Sequence, residues 1–336
     1  MDTYPYKFTP IYKEKIWGGR NLERLFARAL PAGEQIGESW ELADLVEGTS
    51  VVSNGPRAGT PLTELTAALG PRLLGTARPL DNGRFPLLLK FLDANDILSL
   101  QVHPDAQAAA EIGGDAAPKT ECWYVVESRG GFIYKGVRPG VRRRQFRRAI
   151  ENDTVGQLVR RVDCASGDFH FLPAGTVHAL GPGLVVAEVQ TPSDTTYRVT
   201  DWGRGREIHV DRSMQCIHFD VAADASPGAS GRTLLVTDFF TVALREAAEG
   251  QSAALPPGRC AALMMVRAGR HSNILKNVGM TPAALVRHGG PVETPVPLAA
   301  GDTVLLPAEL RNPTLEAAAP CRWLEITLPD TRGTAD

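Results

Sequence analysis

Three stretches decide how the rest of the chain is read: Ser99-Leu100-Gln101-Val102-His103-Pro104, Lys119-Thr120-Glu121-Cys122-Trp123-Tyr124, and Gly167-Asp168-Phe169-His170-Phe171-Leu172-Pro173-Ala174-Gly175-Thr176-Val177-His178. In the first, Gln101 and His103 stand two apart in an apolar alternating run. A strand therefore puts an amide oxygen and an imidazole on one face, together with Ser99. The second opens a strand-like run with a carboxylate, Glu121. Alternation sends Lys119 and Trp123 to its side and turns Thr120 and Cys122 away, so Cys122 reads as core packing. The third carries G-x5-P-x-G-x2-H, whose turn residues present His178 at the far end of a hairpin. Two imidazoles, a carboxylate and an amide oxygen form a mixed nitrogen and oxygen set, suited to Zn²⁺ or another divalent first-row ion. The reading is one metal site inside a small β-barrel.

The remaining composition narrows the class. A chain of 336 residues holds one large or two medium domains. A net charge of -2 offers no global field for nucleic acid or an anionic membrane. The five cysteines (Cys122, Cys164, Cys216, Cys260, Cys321) are odd in number and contain no C-x-x-C pair. That argues against a disulfide framework and for a reducing compartment. The N-terminal segment has no apolar signal core, and no apolar run is long enough to span a bilayer. These features predict a cytoplasmic protein with no membrane or nucleic-acid partner.

Frequent Gly and Pro between short β-rich runs favour an all-β sandwich or barrel over alternating βα units. Strands are predicted at 39–43, 50–52, 86–92, 98–102, 183–190 and 195–202. Thr60-Pro61 followed by Leu62, Leu65, Leu69 and Leu73 gives a helix start and an apolar stripe. Residues 104–118 read as a short helix and a loop lying over the site, and 206–219 lead into another helix. Residues 139–162 suggest two short helices joined near Asn152-Asp153. Seven arginines there read as a solvated helix face, since no aromatic platform accompanies them. Residues 221–231 are small and polar, the best linker candidate. On the 184–190 run, Leu184, Val186, Glu188 and Gln190 share one face. A carboxylate there needs a partner, and Arg198 is the cation predicted to supply it. His170, His209, His218, His271 and His288 lack comparable context and read as structural or surface residues.

An internal repeat predicts two similar units. The frame G-D-x3-L-P-A occurs at Gly167–Ala174 and again at Gly301–Ala308. Asn312 stands where His178 does, so the second unit keeps the hairpin without the ligand.

These motifs carry a family resemblance. The G-x5-P-x-G-x2-H hairpin resembles the second motif of the cupins. S-L-Q-V-H-P-D, K-T-E-C-W-Y and Q-T-P-S-D-T-T-Y-R-V-T-D-W together resemble the type I mannose-6-phosphate isomerases in their short bacterial form. The likeness runs from Lys15-Ile16-Trp17-Gly18-Gly19 through Phe85-Pro86-Leu87-Leu88-Leu89-Lys90 to Arg206-Glu207-Ile208-His209, about two thirds of the chain. It is specific, because most cupins have H-x-H where this chain has Gln101-x-His103.

The resemblance implies a mainly β protein with two cupin, jelly-roll-like β-barrels in tandem. The metal-binding domain would cover 1–225, with a small helical insertion at about 139–163, and a degenerate cupin would cover 232–330. In larger members that insertion is a substantial helical domain. The implied activity is reversible conversion of mannose 6-phosphate to fructose 6-phosphate through an enediolate. One Zn²⁺ per chain, replaceable by other divalent ions, would be held by Gln101, His103, Glu121 and His178. Arg198 matches the family's active-site arginine, and Glu188 lies in the same pocket. Glu188 and Lys119 are the candidate bases. Ser99, Lys90 and Lys119 match positions lining the sugar phosphate site; Trp17 and Glu41 match its wall. The partner is a small sugar phosphate, and the chain is expected as a monomer or weak homo-oligomer. Two rivals stand beside this reading. A cupin oxygenase using Fe or Mn would want three histidines. A non-catalytic sugar-binding cupin would need neither the metal nor the Arg198 and Lys119 pair.

Overall fold

Apolar alternation bounded by turn residues yields strands nearly everywhere, gathered into four larger sheets and one two-stranded hairpin. The computed structural model describes residues 3–219, 228–268, 282–289 and 294–330. The linker expected at 221–231 lies outside them except for its last four residues, and His271 lies outside them altogether.

The first pair of sheets contains the motif residues. One sheet runs Phe169–Leu172, Glu121–Ser128, Leu184–Gln190, Leu88–Ala94, Ile36–Leu42, Ile11–Gly19. The other runs Val159–Asp163, Phe132–Val137, His178–Leu180, Leu100–Val102, Tyr197–Thr200. Between them Trp17, Trp123, Val125, Ile133, Leu172, Leu180 and Val186 form a buried core. Every strand pairing in both sheets is antiparallel. The outer face of the first sheet is apolar as well. Leu89, Phe91, Cys122 and Val189 pack with Phe240, Val242, Leu324 and Ile326 of the second unit.

That second unit is built from Thr303–Leu306, Ala261–Ala268, Cys321–Thr327, Thr241–Ala247 and Thr233–Val236, backed by a four-stranded sheet. Its edge is completed from the far end of the chain. Tyr6–Lys7 pairs antiparallel with Thr303–Leu306, and Lys7 Nζ lies 2.7 Å from Asp302. The repeated frame folds alike in both units. Asp168 accepts from the Ala165 N–H at 2.7 Å, and Asp302 from the Ala299 N–H at 2.8 Å. Leu172 faces Glu121 across one ladder, while Leu306 faces Ala261 across the other. The second unit thus has an alanine where the first has its carboxylate, as well as Asn312 where the first has His178.

The stripe of Leu62, Leu65, Leu69 and Leu73 is buried by helices Leu62–Leu69 and Pro71–Leu74. Asp105 caps helix Ala106–Ile112 by accepting from the Ala108 N–H at 2.7 Å. In the arginine-rich segment, helix Arg143–Glu151 buries Phe146, Ala149 and Ile150, and Arg147 pairs outward with Asp211. A 3-10 turn, Val155–Leu158, follows. The helical insertion ends there: Val159–Asp163 is an edge strand pairing Phe132–Val137, because Val159 and Val162 face that neighbour's apolar positions. Of the strand expected at 50–52, Val51 and Val52 form only isolated bridges. Among the described residues no helix is long and apolar enough to cross a membrane.

Candidate metal centre

Alternation places the donors. Leu100 and Val102 enter a core with Ala179 and Val199, leaving Gln101 and His103 on the opposite face. Across the ladders, Gln101 is opposite His178 on one side and Arg198 on the other. Side chains opposite one another on neighbouring strands share a face. Glu121 comes from the facing sheet. The hairpin expected there is instead a crossing between sheets, because Phe169–Leu172 pairs with Glu121–Ser128 while His178–Leu180 pairs with Leu100–Val102 and Phe132–Val137. The crossing turns through Gly175 at φ +82, where a Cβ would meet the His218 ring at 2.5 Å. The Gly175 N–H donates to the His103 carbonyl at 2.9 Å, so the turn that delivers one imidazole is tied to the other.

The resulting trio is compact. His178 Nε2 lies 3.0 Å from Glu121 Oε1, and His103 Nε2 lies 3.6 Å from Glu121 Oε2. Gln101 stands beside the trio, its amide nitrogen 3.3 Å from His178 Nε2, and it would ligate through its oxygen. Two ligand atoms held by one tetrahedral zinc at about 2.0–2.1 Å are roughly 3.3–3.4 Å apart, so the two histidine–carboxylate separations suit a shared ion.

The hydrogen bonds behind the rings decide the charge. His103 Nδ1 faces the Thr195 carbonyl at 2.8 Å, and His178 Nδ1 faces the Thr176 carbonyl at 2.8 Å. A carbonyl only accepts, so each Nδ1 carries a proton, and each ring when neutral has its lone pair on Nε2. Burial, and then Lys119, hold His103 well below the usual histidine range, so it is neutral. Burial works to raise Glu121, but the charges around it, Lys119 foremost, prevail and keep the carboxyl well below its usual range. His103 Nε2 is buried without a hydrogen-bond partner among the described residues. Lone pairs aimed at a buried carboxylate repel unless a cation sits among them. The donor set fits a metal ion.

A network of charges adjoins the trio. Lys119 Nζ lies 2.9 Å from Glu121 Oε2. Trp123, on the Glu121 side of its strand as alternation predicts, sets its ring edge against His178 with centroids 5.4 Å apart. Its indole N–H donates to Glu188 Oε1 at 2.8 Å. Lys90, opposite Glu188 on the next strand, lies 3.2 Å from Glu188 Oε2 and 3.6 Å from Glu38 Oε2. Burial pushes the Glu188 carboxyl up, and Lys90 offsets this only in part. Burial pushes Glu38 the same way, but Lys90, Lys15 and the Trp40 indole prevail and hold it down at about 2.

Two sequence expectations need correction here. The partner of Glu188 is Lys90, not Arg198, because Lys90 is its neighbour across the ladder. Glu41 does not join the network: it is buried on the other side of its strand, bonded to Arg28 at 2.8 Å and to Ser39 at 2.5 Å. Glu38 is the residue the sequence reading missed. It stands two before Trp40, the same spacing that pairs Gln101 with His103.

The other expected residues are placed as follows. Arg198 donates from Nη1 to the Glu207 carbonyl at 2.7 Å, and its buried Nε has no hydrogen-bond partner among the described residues. Its backbone N–H donates to His209 Nδ1 at 2.9 Å, a positioning contact that the sequence context of His209 did not reveal. Ser99 is buried just before Leu100–Val102. Trp17 packs in the same core as Trp123.

Comparison with known proteins agrees with this geometry. Residues 6–124 match the family model described as phosphomannose isomerase type I, catalytic domain. A mannose-6-phosphate isomerase of Streptococcus mutans is 38% identical over 241 residues, covering 68% of this chain and 74% of that one. The crystal structure of the mannose 6-phosphate isomerase from Bacillus subtilis superposes with a TM-score of 0.81 at 27% identity, over 96% of this chain and 99% of that one. A zinc-bound mannose 6-phosphate isomerase shares the fold, with a TM-score of 0.73 at 16% identity over 96% of this chain and 99% of that one.

Proposed function

The chain belongs to the type I phosphomannose isomerase family, and from that premise we propose that it interconverts mannose 6-phosphate and fructose 6-phosphate with a divalent metal, Zn²⁺. The observation that carries this reading is the convergence of the His103 and His178 Nε2 atoms on the buried Glu121 carboxylate, with Gln101 beside His178 and Arg198 opposite Gln101. Gln101, His103, Glu121 and His178 would hold the ion. When bound, it supplies a fixed positive charge that orients the sugar oxygens and stabilises negative charge developing on them.

The chain's own residues supply the rest. Isomerisation moves a proton between C2 and C1 through an enediolate, and one group must take it up and return it. Of the two candidate bases, Glu188 has the property this needs: burial raises its carboxyl toward the working pH. Lys119 is set against Glu121 and helps keep that ligand ionised. Lys90, flanked by Glu38 and Glu188, tunes that pair, which leaves Ser99 and Lys119 for the phosphate. Arg198 brings a guanidinium with an uncommitted Nε to the carbonyl side, a preorganised counter-charge for the enediolate. A three-histidine oxygenase is disfavoured, since Gln101 and Glu121 occupy the ligand positions.

The test is a coupled assay for fructose 6-phosphate formed from mannose 6-phosphate, before and after chelation. Turnover should vanish with chelator and return with Zn²⁺. Turnover indifferent to chelation would remove the metal from the reading, and binding without turnover would leave a sugar-binding protein.

A further inference from the structure

The loop at 164–170, which joins the two sheets, carries a second convergence of donors. Ligand atoms of Cys164, Asp168 and His170 lie within 4.8 Å of one another. Cys164 Sγ is 3.4 Å from His170 Nε2. Sulfur and nitrogen bound to one tetrahedral zinc, at about 2.3 and 2.0–2.1 Å, are roughly 3.5–3.6 Å apart. The pair is therefore almost at liganding separation already.

The internal repeat separates what the turn needs from what it does not. Asp168 and Asp302 make the same bond to the residue three before them, so this aspartate serves the turn in both units. A carboxylate has a second oxygen, which leaves Asp168 able to do more. The positions matching Cys164 and His170 are Leu298 and Val304, both buried apolar core residues of the second unit. The turn thus folds without a thiol or an imidazole at those places, and turn formation does not account for them. His170 stands opposite Trp123 on the ladder that also pairs Leu172 with Glu121, and Cys164 is buried in the core containing Trp123.

We propose that Cys164, Asp168 and His170 form a second metal site, for Zn²⁺ or another thiophilic divalent ion, with water completing the coordination. On binding, the Cys164 S–H bond breaks, its proton passes to solvent, and the sulfur bonds to the ion as thiolate. The site ties the strand end at Cys164 to the strand carrying His170.

Cobalt distinguishes this site from the principal centre, which has no sulfur donor. Metal-free protein titrated with Co²⁺ should take up two ions per chain. One of them should bring a thiolate-to-cobalt charge-transfer band in the near ultraviolet. Cys164→Ser should abolish the band and reduce uptake to one ion, while His178→Ala should keep the band. Thermal unfolding checks that each variant is folded, and His170→Ala replaces Cys164→Ser should the latter fail to fold. One ion per chain without the band, or a band that survives loss of the Cys164 thiol or the His170 ring, overturns the proposal.

Discussion

Glu38 and Glu188 share one lysine and yet titrate in opposite directions, because the rest of their surroundings differ. Glu38 has Lys15 at 3.1 Å and the Trp40 indole at 2.7 Å besides Lys90, whereas Glu188 lies near the anionic Glu121. A carboxyl depressed from 4.5 to about 2 stabilises the fold above pH 4.5, and that stability is lost as pH falls toward 2. Between pH 5 and pH 3 the loss from this group is roughly 2 kcal/mol. Urea unfolding at these two pH values should show Glu38→Gln losing less stability than the wild type by about that amount; equal losses would mean Glu38 is not held down. Glu188 has the opposite sign, since its raised carboxyl favours the fold at low pH and opposes it once ionised. Trp123→Phe removes the indole donor and keeps the ring, so Glu188 should rise further. The acid limb of the kcat/KM profile should move to higher pH, with turnover falling about tenfold for one lost charge-assisted hydrogen bond. An unmoved profile would take the base role from Glu188. The ligands themselves were legible, because a donor pair two apart in an apolar run has one geometric reading. Glu38 was legible by the same spacing from Trp40, but the family resemblance pointed to Glu41 instead.

At the scale of elements, the strand–turn–strand segment from Phe169 to Leu180 matters most, since its turn connects the two sheets that share the metal site. Pro173 and Gly175 made it readable: proline starts the turn and glycine takes the positive φ. Gly175→Ala would strain the backbone and drive a methyl group into the His218 ring, which Asp105 holds at 2.9 Å. Stability should fall by roughly 1–3 kcal/mol. Because Gly175 also donates to the His103 carbonyl, metal affinity should fall with it, to be read by calorimetric titration of the metal-free variant. Unchanged affinity in a destabilised variant would show that the turn does not position the imidazoles. Val159–Asp163 was not legible for the converse reason. Arg160 and Arg161 interrupt the period, and an edge strand has only one neighbour to impose one. Proposing a helical end there followed composition, whereas pairing to Phe132–Val137 decided the outcome.

The whole molecule is two sheet pairs in sequence but one body in its packing. Repetition of G-D-x3-L-P-A made the two units visible, and the division near 225–232 remains our proposal for where the chain passes between them. What the sequence pattern could not convey is that Tyr6–Lys7 completes the second unit, because a two-residue strand carries no period. The apolar outer face of the first sheet, with Phe91 and Cys122, packs directly on Phe240 and Ile326, so neither unit has a core of its own on that side. Burial shared in this way couples the unfolding of both units. Calorimetry should therefore record a single transition. Tyr6 tests the coupling from the first unit's end of the chain. Its ring is fully buried, while its hydroxyl has no hydrogen-bond partner among the described residues. Tyr6→Ala should cost about 3–5 kcal/mol as a buried aromatic truncation and shift the whole transition down by roughly 5–10 °C. Tyr6→Phe, which removes only the unpartnered hydroxyl, should leave the midpoint within about 2 °C. Two transitions, with only the one belonging to 232–330 displaced by Tyr6→Ala, would mean that the shared face does not bind the units into one cooperative fold.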